Sequence, residues 1–224
     1  MSGWGEYAGA WALFLLSHAM PVRPPLKPWL IARLGQTGFL LGYSVLSLGV
    51  LAWLIIAAGR APHVSLWPMP VSAHWIVLAG MIPAVALLAL TLGRPNPFSF
   101  GGARNDRFDP DHPELIGRIR HPVLAALGFW AAAHLVANGD LAHALMFAGF
   151  GGFAVLGMAL IDRRKQRETG RAEWQALQAR ARHAAPAFPP NAALRLLMGF
   201  CSLTALIAGH QWLSGVAIWP RFLP

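Results

Sequence analysis

Apolar residues run along this chain in six long blocks separated by shorter polar ones, and that pattern is its dominant signal. The blocks are Trp4–Met20, Phe39–Ala58, His74–Leu92, Pro122–Asn138, Leu141–Ile161 and Ala193–Val216. A helix rises about 1.5 Å per residue, so about 20 residues cross the hydrocarbon layer of a bilayer. The first and fourth blocks are short for this and would extend into the headgroups. Within lipid every backbone N–H and C=O has to be bonded inside its own segment, which leaves helices as the spanning form. The chain is therefore expected to be all-α, a polytopic membrane helix bundle of about six transmembrane helices, forming a single transmembrane domain over residues 1–224. Pro83 should kink the third span, and Asn138-Gly139-Asp140 should close the fourth and fifth into a hairpin.

Composition agrees with the pattern. The chain is 56% hydrophobic and only 12% charged, against about a quarter charged in soluble domains. Its net charge of +9 does not indicate nucleic acid, because the basic residues are spread between apolar blocks rather than gathered on one folded surface. There they contact anionic membrane lipid and govern orientation. Arg23, Lys27 and Arg33 lie in the first polar segment, and Arg94, Arg104, Arg107, Arg118 and Arg120 in the third. The fifth holds Arg163, Arg164, Lys165, Arg167, Arg171, Arg180 and Arg182, with Arg195 at its end. Sixteen of the eighteen basic residues thus share one side, leaving Arg60 and Arg221 on the other. This places those segments in the cytoplasm, with both termini periplasmic in a bacterial-type inner membrane, and Trp4, Trp67, Trp75, Trp212 and Trp219 near the outer boundary. The first charge is Glu6, so the first block lacks the basic flank of a signal peptide and should remain as a span. The lone Cys201 excludes an intrachain disulfide and a cysteine-based metal site.

Two polar segments are long. Residues Arg94–Arg120 match no phosphate-binding template and read as a solvated loop. In Asp162–Ala185, Trp174, Leu177 and Ala181 share roughly one face, which predicts an amphipathic helix on the cytoplasmic leaflet. Gly38 and Gly42 form a GxxxG pair, a signal for close helix packing.

The chemistry rests on histidines. A bilayer offers no water to an ionisable group, so such a residue in a span is there to bind or react. A neutral imidazole is a good ligand for haem iron or a divalent metal. His18 ends the first span, His121 precedes the fourth, and His134 lies within it, thirteen residues on and about 20 Å further along an ideal helix. By level, His18 pairs with His121, while His134 pairs with His210 or His74; His143 lies at an interface and His63, His112 and His183 in loops. No Ser-His-Asp set, paired acid or His-Glu-x-x-His motif appears.

Several short motifs recur in a defined order: Ser17-His18, Arg33-Leu34-Gly35 with Tyr43-Ser44, Leu66-Trp67, and Arg120-His121-Pro122. After these come Trp130-Ala131-Ala132-Ala133-His134-Leu135, Asn138-Gly139-Asp140 and Asp162-Arg163-Arg164. In this the chain resembles the NnrU family, membrane proteins associated with denitrification, to which the plastid 15-cis-zeta-carotene isomerase, a haem-b enzyme, is related. The resemblance implies haem b held by His18 and His134, with His121 and Arg120 also in the cofactor-binding set and His121 or His210 as alternative ligands. It implies cis–trans isomerisation of an apolar, polyene-like small molecule, or a part in nitrogen-oxide metabolism. The isomerase has a cysteine three residues before its span-four histidine; Ala131 stands there in this chain, so a thiolate-switching mechanism cannot operate. Arg120-His121-Pro122 followed by Asp162-Arg163-Arg164 and Trp174 is also similar to isoprenylcysteine-type methyltransferases, where His121, Asp162, Arg163 and Trp174 would serve S-adenosylmethionine. A non-enzymatic haem carrier or assembly protein is a third class.

Overall fold

A computed structural model describes residues 3–215; Val216, Trp219 and Arg221, which entered the reading of the last span and of orientation, lie outside the described residues. Seven helices follow in order: α1 (Gly3–Ala19), α2 (Leu26–Arg60), α3 (Ala73–Thr91), α4 (Pro122–Ala137), α5 (Leu141–Thr169), α6 (Arg171–His183) and α7 (Ala192–Ser214). No strand is present among the described residues, so the all-α expectation is met. Helices α2, α3, α5 and α7 are long and apolar enough to cross a membrane, and α4 is a shorter apolar helix. Leu41, Val45 and Leu48 on α2, and Leu197, Met198 and Phe200 on α7, are among the many large apolar side chains left exposed. Such a surface is far more apolar than water-soluble proteins tolerate in contiguous patches and suits lipid. This is a membrane protein.

The chain divides into two compact units, residues 1–67 with 140–143, and residues 68–139 with 144–224. In the first, α1 buries Tyr7, Ala10, Phe14 and Ser17, a stripe at helical spacing that packs on α2. The pair is antiparallel: Arg60 Nη1 and Trp53 Nε1, toward the end of α2, both donate to Glu6 Oε1, at 3.2 and 3.3 Å. Helix α2 starts earlier than its apolar block, so Lys27 and Arg33 sit on a helical segment rather than in a loop. That segment meets the rest of α2 at Gly35, whose φ of 70° and ψ of 167° lie where a side chain is strained. Among the described residues no other helix packs against Gly38 and Gly42: a Cβ on Gly42 would meet nothing within 4 Å and one on Gly38 only Leu34 of the same helix. The GxxxG expectation is therefore corrected. Asp140 begins α5 by accepting from the backbone N–H of His143 and of Val64, as an N-terminal carboxylate does.

In the second unit α3 packs on both α4 and α7, and Pro83 lies inside α3, which continues through it. Gly80 lets α3 and α4 approach: a Cβ there would overlap Ala133 Cβ and come within 2.9 Å of the Phe129 carbonyl. Gly80→Val should therefore destabilise the protein by about 2 kcal/mol, as overpacked contacts do. A thermal melt in detergent checks this; an unchanged midpoint would mean that the helices separate at no cost. Arg195 of α7 donates to the carbonyls of Ala89 and Leu92 at the end of α3, satisfying acceptors the helix leaves open and countering its negative end.

The segment between α3 and α4 is not a solvated loop. Phe98, Ile116, Asn96 and Ser99 are buried in it, and Arg94 forms a two-point ion pair with Glu114. Asn96 is tied at three points: its side chain donates to the Arg120 carbonyl and accepts from Phe98 N–H, and its own N–H donates to Asn105. Helix α6 forms as the spacing predicts, but its apolar face does not need a lipid leaflet. Trp174 and Ala181 bury against Phe98 and Ile116, with Phe108 and Leu177 alongside.

Candidate functional site

Pro122 opens α4, where its missing donor costs nothing, and so fixes His121 at the helix entrance beside Arg120. Both side chains meet Asp162 of α5. Arg120 donates through Nε and Nη2, the closest contact being 2.6 Å, and His121 Nε2 lies 2.9 Å from Asp162 Oδ1. The other imidazole nitrogen, Nδ1, lies 3.0 Å from Ser99 Oγ. Burial acts to raise the Asp162 pKa, but the bonds and charge of Arg120, together with His121, outweigh it and hold the carboxyl below its ordinary range. Burial depresses His121, more than Asp162 raises it, and Arg120 adds to the depression. The consistent state is an ionised Asp162 beside a neutral His121. A carboxylate only accepts, so His121 carries its proton on Nε2 and donates it to Asp162, while Nδ1 accepts from the Ser99 hydroxyl.

This corrects one expectation. A Ser-His-Asp set does exist, assembled from Ser99, His121 and Asp162, three positions too far apart in sequence for their order to reveal it. Ser99 is only 5% exposed, so its hydroxyl anchors the imidazole rather than meeting a substrate. His121 thus has both ring nitrogens engaged, Nε2 with Asp162 and Nδ1 with Ser99, and Arg120 gives Nε and Nη2 to Asp162. The residues of the methyltransferase alternative are placed accordingly. His121 and Asp162 are bonded to one another, Trp174 is packed in the α6 core, and Arg163 is exposed.

His18 and His134 are held differently from His121, and in the same way as each other. His134 Nδ1 lies 2.8 Å from the carbonyl of Trp130, and His18 Nδ1 lies 2.8 Å from the carbonyl of Phe14, each one turn back in its own helix. A carbonyl only accepts, so Nδ1 bears the proton in both rings and the lone pair resides on Nε2. Each ring sits among aromatics. Phe14 stacks on His18 at 4.2 Å with Tyr43 edge-on at 5.9 Å, and Trp130 and Phe147 flank His134 at 5.3 and 5.2 Å. Asn138 Nδ2 then donates to the His134 carbonyl at 2.7 Å, closing the end of α4.

His210 of α7 lies close enough to His134 for the two groups to interact electrostatically. His210 Nδ1 meets Ser214 Oγ at 2.9 Å on α7, and His74 lies beside Trp75. His63 and His143 both pair with Asp140. His112 is an exposed group whose pKa is raised by its bond to Asp109. Among the described residues no three of His, Cys, Asp and Glu gather to hold a metal ion, whereas haem iron requires only one or two imidazoles from the protein.

These features define a helical membrane protein with two imidazoles whose Nδ1–H groups are held by backbone carbonyls and, in the second unit, an Arg-His-Asp-Ser network. The chain matches the NnrU protein family over residues 7–218, nearly its whole length, and belongs to that family. No curated protein and no solved structure matches it.

Proposed function

We propose that this protein is a multi-pass haem-b protein of a bacterial-type inner membrane. In this reading His18 and His134 hold the iron, and the substrate is an apolar polyene undergoing cis–trans isomerisation or, in the family's other setting, a nitrogen oxide. The observation that carries the proposal is the shared tautomer: both rings are locked by an Nδ1–H bond to a backbone carbonyl, the arrangement that orients a ligating histidine and raises the basicity of Nε2. The aromatic walls of Phe14 and Tyr43, and of Trp130 and Phe147, suit the flat apolar face of a porphyrin. Haem held there would supply a redox-active iron, open to an alkene or a small nitrogen oxide once one of the two imidazoles is released; the chain's own part is to orient the imidazoles and exclude water. The third and fifth polar segments meet, through Arg118 with Arg182 and Arg180 with Asp111. This supports a common side for them, as the distribution of basic residues does.

The test is to express the full chain with haem supplied, purify it in detergent, and assay haem retention and conversion of a cis-polyene under reducing conditions. The proposal expects haem to travel with the protein through size exclusion and the polyene to isomerise. Retained haem with no turnover would assign the protein to the carrier class. Absence of haem from the purified protein would overturn the reading.

A further inference from the structure

Independently of the haem reading, the second unit holds a cavity of about 310 Å³ between the α3–α4 segment and α6. We propose that this cavity binds a phosphate-bearing anion, received by Arg182, Arg120 and Gln178. Three guanidiniums line it, those of Arg118, Arg120 and Arg182, and none of its lining residues is acidic. Arg120 is bonded to Asp162, while Arg118 and Arg182 make no ion pair among the described residues, so their positive charge is left uncompensated there. Three like charges around one space repel one another, and a multiply charged anion relieves that repulsion.

The three arginines are not equivalent. Arg118 donates to the carbonyls of Arg182 and Ala184 at the end of α6, which holds that helix in place and leaves Arg118 as a source of charge. Arg120 uses Nε and Nη2 on Asp162, leaving Nη1 for another acceptor. Arg182 is exposed and makes no ion pair among the described residues, so its fork is available for two-point contact with phosphate oxygens. Gln178 lies one turn before Arg182 on α6 and adds an amide. One turn before Gln178 is Trp174, whose indole N–H is buried with no acceptor among the described residues, and whose ring lies 6.1 Å from that of Phe98 in the cavity wall. The lining thus offers guanidinium and amide donors and no carboxylate, as a phosphate requires. The volume falls at the low end of the range for small-ligand sites, about 300–1,000 Å³. It suits a phosphate with a small organic portion, and that chemistry belongs both to an anionic lipid headgroup and to a soluble phosphate ester.

The test uses the full chain in two arms. In one, detergent-solubilised protein is titrated with pyrophosphate by calorimetry. In the other, protein from mixed phosphatidylglycerol–phosphatidylcholine vesicles is examined by native mass spectrometry for retained phosphatidylglycerol. Each arm is repeated with Arg182→Gln, with Arg182→Lys, and with Arg167→Gln, an exposed basic residue of α5 outside the cavity. A thermal melt confirms that each variant is folded. Binding that falls about tenfold in Arg182→Gln, one lost charge-assisted contact, is partly kept in Arg182→Lys and is unchanged in Arg167→Gln supports the site. The arm that shows it identifies a soluble or a lipid source. No binding in either arm overturns the proposal, as does binding that Arg167→Gln weakens as much as Arg182→Gln.

Discussion

Asp162→Ala is expected to be the most destabilising single substitution in the second unit, costing about 3 kcal/mol. The figure is the low end of what removal of one partner from a buried ion pair costs, because Arg120 is 38% exposed and recovers part of its hydration. His121 recovers none: it is 3% exposed, and its Nε2–H would be left without an acceptor. Asp162→Asn keeps one acceptor and should cost about half as much. Unfolding titrations in mixed micelles measure both, and a loss below about 0.5 kcal/mol for the alanine variant, the level of a surface pair, would mean that the network is incidental.

The same network sets a pH dependence. His121 is depressed from its ordinary 6.5, so the unfolded chain takes up that proton first as pH falls. The associated stability is complete above 6.5 and declines below it. Asp162 is depressed from 3.8, so its contribution holds above that value and fails only in stronger acid. Acidification from neutral to about pH 5 should therefore lower the melting temperature through His121, and His121→Gln should flatten that response.

The second large effect concerns the proposed iron site. His134→Gly should abolish haem binding, and millimolar imidazole should restore it, because the free ligand can occupy the space between Trp130 and Phe147. Glycine within α4 itself costs about 1 kcal/mol, so His134→Ala serves as the control for stability. His18→Gly should behave in the same way between Phe14 and Tyr43. Rescue by imidazole is the discriminating result: a histidine that merely packs or bonds a neighbour would not be replaced by a diffusible ring. Loss of haem without rescue would indicate that the substitution acts on the fold.

Helix positions were legible wherever length and hydropathy decide them, and α1, α3 and α4 fall within a residue or two of their apolar blocks. The extensions were not. Helix α5 runs eight residues past Ile161 to Thr169 through charged positions, where Glu168 pairs with Arg164 and Lys165, and Gly170 with a φ of 93° ends it. Hydropathy is blind to a helix carried by i, i+4 pairs in solvent. The α3–α4 segment was misread for a related reason: its polar residues, Asn96 and Ser99, are buried because they find partners at Arg120 and His121, more than twenty residues away. In the same way Arg120-His121-Pro122 and Asp162-Arg163-Arg164 were visible as motifs, but only the fold shows that they bind one another. The Nδ1 bonds of His18 and His134 to carbonyls one turn back are likewise visible only in the fold.

The proposed haem site rests on His18 and His134 rather than His121. It is tested most directly by the oxidised and dithionite-reduced visible spectra of the purified full chain beside His18→Ala, His134→Ala and His121→Ala. The account predicts a haem-b spectrum in the parent that is lost from the first two variants and kept in the third. A parent without haem, or a spectrum that survives both His18→Ala and His134→Ala, would contradict it.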